Sequence, residues 1–161
     1  MAALSPQHEQ LAGIVGVWEG TATTWTEPNH PPDVAPWRVT IAPLLDGRFF
    51  EQRHRGSFGG QELEGVVVYG FDKPRGVHTA TWFDSFHTGT AQLVMEGRPP
   101  TDAATILDVR GRYYVAEITA WWGWRTLLRT PAPGTLRIEM FNVDPGGTEH
   151  PAVTVVLTRR G

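Results

Sequence analysis

From Gly16 onward the chain reads as a succession of short runs rich in β-formers, each closed off by Gly, Pro or Asp. The runs fall near 17–26, 36–43, 48–58, 61–71, 76–84, 87–96, 104–110, 113–121, 123–130, 135–143 and 151–159. Between them stand Pro28 to Pro32, Asp46-Gly47, Gly59-Gly60, Asp72 to Gly76, Arg98 to Asp102, Gly111, Pro131 to Gly134 and Pro145 to Gly147. Most of these breaks are tight enough to join antiparallel neighbours, and no long Greek-key crossover intervenes. About ten strands in so regular an order predict an all-β, up-and-down antiparallel barrel. Ahead of it, Ser5-Pro6 with Glu9 in the first turn predicts a short N-terminal helix over 5–14, with Leu4, Leu11 and Ile14 as its apolar side. The 161 residues make one domain, with the barrel over 17–159.

Successive strand residues face opposite ways, so each run can be sorted into inside and outside. With the charged residues outward, the interior receives Trp18, Gly20 and Ala22; Trp37, Val39 and Ile41; and Phe50, Gln52, His54 and Phe58. It also receives Leu63, Val67, Tyr69 and Phe71; Leu136, Ile138 and Met140; and Val153, Val155 and Leu157. The run 76–84 is ambiguous, and the face carrying His78, Ala80, Trp82 and Asp84 is preferred. Gly123 marks a candidate bulge that would turn Arg125 inward. Of Trp121, Trp122 and Trp124, at least one must lie at the surface or at a mouth, where it would form a patch suited to a homodimer.

An interior rich in rings admits two readings, a solid core or a pocket for a small apolar or aromatic molecule. Arg38, Arg53, Arg55 and Arg137 share the outward parity, so a carboxylate inside would lack its usual partner. The candidate ligand-binding residues are therefore Trp18, Trp37, Phe50, Gln52, His54, Tyr69, Trp82 and Asp84, with Gln52 and His54 orienting a neutral ligand. The filled barrel, serving as a structural or interaction protein, is the alternative.

Other functions find less support. The net charge of −3, with no basic block, argues against nucleic acid. No run approaches the length of a membrane span, and the opening MAALSPQHEQLAG lacks the features of a signal peptide, so a cytoplasmic protein is expected. There are no cysteines, and the six histidines show no close-spaced metal pair. Asp84, Ser85 and His87 are the residue types of a hydrolytic triad but lack the strand–elbow–helix setting, and Asp84 fits better as a cap on the turn that follows. No catalytic residues are assigned, and no cofactor is required. Haem would need one inward proximal His, which His54 could supply.

The opening Gly16-Val17-Trp18-Glu19-Gly20 after a short helix resembles the Gly-x-Trp start of lipocalin-like barrels, the calycin group. Residues 44 to 90 resemble the bacterial domain of unknown function 1579 family through Gly47-Arg48-Phe49, Gly65 to Asp72, Trp82 with Asp84, and Thr88-Gly89. One departure is Tyr69-Gly70-Phe71-Asp72, where the family more often reads Gly-Tyr-Asp. That resemblance implies a lipocalin-like barrel without a settled activity. The opening is also similar to that of the nitrobindins, haem-binding barrels with a proximal His near the C-terminus; His150 is the histidine in that region.

Overall fold

The computed structural model describes residues 3–27 and 29–161, so Pro28 of the first predicted break lies outside the described residues. A short helix, α1 (Pro6–Ala12), precedes ten strands. These are β1 (Gly16–Thr24), β2 (Asp33–Leu44), β3 (Phe49–Phe58), β4 (Gln61–Asp72), β5 (Val77–Asp84), β6 (Leu93–Gly97), β7 (Thr105–Val115), β8 (Ala120–Arg129), β9 (Thr135–Val143) and β10 (Glu149–Arg160). Every strand pairs antiparallel with its sequence neighbours, and β1 pairs with β10 to close the barrel. The expected all-β, up-and-down barrel with one short N-terminal helix is what the chain forms.

Alternation sorts the side chains as expected along most strands. Trp18, Ala22, Trp37, Val39, Ile41, Phe50, Val67, Tyr69, Leu136, Ile138, Val153, Val155 and Leu157 are all buried. On β5 the preferred face is the inner one, with His78, Ala80, Trp82 and Asp84 buried. Arg38, Arg53, Arg55 and Arg137 point outward and pair with glutamates on the wall.

Four local expectations are corrected. The run 87–96 is mostly a turn, because Asp84 ties up the amides that would have continued the ladder, and β6 begins only at Leu93. Gly111 does not separate two strands. It sits inside β7 where β6 comes so close that a Cβ would lie 2.3 Å from the Val94 carbonyl oxygen. The chain instead reverses at 116–119, through a single 3-10 turn ending at Thr119 in the left-handed region. Gly123 stays in register with Arg112 and Val143, so no bulge flips the strand. Trp124 is buried, while Arg125 lies on the outer wall, bonded to Asp108 at 2.8 and 2.9 Å and to Glu149 at 3.0 Å.

Helix α1 and the turn that follows it close one end of the barrel by placing Leu11 and Ile14 in the core. The helix spans fewer residues than expected, and Leu4 is left exposed ahead of it. At its start His8, not Glu9, answers Ser5: the Ser5 amide donates to His8 Nδ1 at 3.1 Å. The indole of Trp18 donates to the Ile14 carbonyl at 2.9 Å, and Arg159 covers the same ring at 4.3 Å while capping the Gly13 and Val15 carbonyls. The opposite end carries the turns at 59–60, 85–92, 116–119 and 144–148. No helix among the described residues is long and apolar enough to cross a membrane.

Candidate functional site

Three neighbouring strands put His54, Gly65 and Asp84 in one inward-facing row, through the pairs His54–Gly65 and Gly65–Asp84. Side chains two strands apart are normally separated by the one between them, since each strand step is about 4.8 Å. Here the middle residue has no side chain. A Cβ on Gly65 would lie 2.4 Å from both Asp84 Cβ and His54 Nε2, so the two side chains lean together over bare backbone. His54 Nε2 comes to 3.9 Å from Asp84 Oδ2, beyond hydrogen-bond distance but well within electrostatic reach in a buried setting. The Trp37 indole stacks on the imidazole at 5.4 Å and 16°, occupying the space that Gly56 leaves free.

Asp84 does two jobs. Its Oδ1 accepts the backbone amides of Phe86, His87 and Thr88, and its Oδ2 accepts His87 Nδ1 at 2.9 Å. Burial by itself would raise this carboxyl. The imidazoles of His54 and His87 outweigh that, with the Thr88 amide adding to them, and hold it well below the usual carboxylate range. Asp84 is therefore an anion at neutral pH. As expected it caps the turn, and in doing so it lays the His87 ring over the barrel end, 5.2 Å from Trp82 and 6.0 Å from Trp124.

Deeper inside, the Tyr69 hydroxyl donates to Gln52 Oε1 at 2.9 Å. Burial pushes the phenol upward, so it remains a neutral donor. Thr126, also buried, donates to the Met95 sulfur at 3.6 Å. Between these groups remains a void of about 30 Å³, lined among others by Gln52, His54, Tyr69, Trp82, Met95 and Met140. That is room for one or two waters, an order of magnitude below the roughly 300 Å³ at the small end of ligand pockets. Larger concavities of about 980 and 660 Å³ lie open on the outer wall, where Arg38 pairs with Glu19 and Arg55 with Glu64.

Of the eight candidate residues, Trp37, Gln52, His54, Tyr69, Trp82 and Asp84 surround the void. Trp18 and Phe50 are buried but do not line it; Trp18 is held under the helix. The structure adds His87, Met95, Thr126 and Met140. Thr126 was available by alternation from Trp124, and Met95 from Leu93, whereas His87 arrives through a turn that alternation does not describe. His150, at the start of β10, bonds Asp144 at 2.9 Å and is not among the residues around the void.

The fold is shared with solved structures of low sequence identity. The crystal structure of Rv2717c from M. tuberculosis superposes with a TM-score of 0.68 at 12% identity, covering 99% of this chain and 100% of that one. The S-type phycobiliprotein lyase CPES from Guillardia theta gives 0.60 at 10% identity, covering 95% and 92%. No curated protein matches the sequence. The family described as Protein of unknown function (DUF1579) matches residues 4–159, nearly the whole barrel with its helix, and the chain belongs to that family.

Proposed function

We propose that the barrel takes up a small, largely apolar or aromatic molecule in its interior, entering past the 85–92 turn. The observation that carries this is a group of buried polar side chains, Gln52 with Tyr69 and His54 with Asp84, gathered around a void inside an otherwise apolar barrel. A barrel filled only for stability has no use for such groups, since each buried polar atom must be satisfied or costs about 1–3 kcal/mol. The adaptable part of the wall is Met95 and Met140, whose unbranched thioethers can repack around a single ring. His87, held by one carboxylate, is the piece that must move. Lipocalin-like architecture and the likeness to a phycobiliprotein lyase are in keeping with an interior site. A porphyrin is far larger than the void, so haem is not the ligand this interior favours.

The test is a titration with phenol and indole followed through the methionine methyl resonances. Saturable shifts of Met95 and Met140 are expected. Shifts confined to the outer wall, or none, would remove the proposal.

A second reading is favoured by the small void together with the tip of the β7–β8 hairpin. There β8 pairs with β9 only from Gly123 onward, and Tyr114, Ile118 and Trp121 are exposed. Tyr114 and Trp121 pack at 5.4 Å, with Arg112 over the indole at 4.7 Å. In this reading the barrel is a filled scaffold and the tip meets a partner or a second copy. Concentration-dependent sedimentation abolished by Trp121→Ser, with no interior binding, is its signature.

A further inference from the structure

We infer that His54 Nδ1 is the acceptor that selects the ligand, so that the interior takes a neutral molecule with one O–H or N–H donor on an apolar frame and turns carboxylates away. This rests on the interior-binding reading above. His54 is 5% exposed and lines the void, and its Nδ1 is buried without a hydrogen-bond partner among the described residues. Buried polar atoms in folded proteins are nearly always paired, so an orphan on a side chain that lines a void points to a partner that binds there.

The sense of the bond follows from the row that holds the ring. Asp84 carries a full negative charge 3.9 Å from Nε2, which favours the tautomer with its proton on Nε2. Nδ1 is then a lone pair, able to accept but not to donate. Trp37 on one face of the ring and the missing side chain at Gly65 keep it in this pose. The other strong acceptors nearby are already engaged: Gln52 Oε1 receives the Tyr69 hydroxyl, and the Asp84 carboxylate receives three backbone amides and His87 Nδ1.

Charge completes the selection. Among the described residues no Lys or Arg lines the void, because the arginines of β2, β3 and β9 all face outward. A ligand carboxylate would meet Asp84 with no counter-charge, a buried like-charge contact that binding would have to overcome. A phenol, an aliphatic alcohol or an N–H heterocycle meets no such obstacle.

The experiment compares phenol, toluene and benzoate, which share a ring and differ in the group offered to His54. Dissociation constants are read from methionine methyl and indole shifts in the wild type and in His54→Phe. Phenol is expected to bind roughly tenfold more tightly than toluene, the effect of one neutral hydrogen bond, and benzoate not to bind. In His54→Phe, which keeps a ring stacked on Trp37, phenol should fall to the affinity of toluene. Equal binding of phenol and toluene by the wild type would overturn this inference while leaving the interior site standing. Tightest binding by benzoate would also overturn it, and binding of none of the three would remove the interior site with it. The wild-type comparison stands even if the variant fails to fold.

Discussion

The residue that most shapes the interior carries no side chain. Gly65→Ala places a methyl group 2.4 Å from Asp84 Cβ and His54 Nε2, so the imidazole must leave its place against Trp37 and the Asp84 side chain must shift. A loss of about 2–3 kcal/mol in urea unfolding is expected, together with a changed Trp37 fluorescence environment. His78 makes a second prediction. It is fully buried on β5 with neither ring nitrogen hydrogen-bonded among the described residues, and it packs against Phe71, which His8 meets in turn. Burial, aided by the nearby His8, pushes it down to about 4. The unfolded chain therefore binds the proton more readily between pH 6.5 and 4, so this contribution is complete above pH 6.5 and is lost as the pH falls to 4. Urea unfolding across that range should show a decline on the order of 3 kcal/mol that His78→Phe flattens. The inward parity of His54 was legible from alternation, because Arg53 and Arg55 beside it had to face water, whereas His78 and Asp84 lie on a strand with no charged neighbour to fix its parity, so their face was only a preference. The meeting of His54 with Asp84 was not legible. It depends on which residue of β4 stands between them, a register across three strands that one sequence does not state.

Among the elements, the 85–92 turn is the one that the proposed route into the interior would have to displace. Asp84 holds three of its amides and the His87 ring, so Asp84→Asn removes the charge behind four hydrogen bonds at once. A cost of about 2–4 kcal/mol is expected, with amide exchange at Phe86, His87 and Thr88 accelerated far more than in the neighbouring strands. The β7–β8 turn supplies a prediction of opposite sign. Thr119 has φ of 47°, in a region that β-branched residues avoid. Thr119→Gly should stabilise the protein by up to about 1 kcal/mol, seen as a rise in Tm. Both turns were hard to read in sequence for the same physical reason. Gly111 looks like a break but serves as a point of close strand approach, while the actual reversal at 116–119 contains neither Gly nor Pro. The stretch 87–96 has strand-like composition, yet one upstream carboxylate wins its amides.

For the whole molecule, the barrel was the most legible feature, because ten amphipathic strands joined by short turns have few other ways to bury one face each. Its end-to-end closure by β1 and β10 follows from the alternation on both, with Trp18 and Ala22 facing the same interior as Val155 and Leu157. How much space remains inside was not legible. Volume is a difference between two large quantities, the lumen and the side chains within it, and a change in the pose of Trp37, Trp82 or Met140 alters it by more than the void itself. On the proposed function, this nearly full interior opens to hold a small neutral molecule. Native mass spectrometry of the protein purified from its own host tests it most directly. The expected spectrum contains a population carrying one bound small molecule, displaced by excess phenol and absent from His54→Phe. A bare chain mass in every preparation, unchanged by added phenol, would contradict binding in the interior.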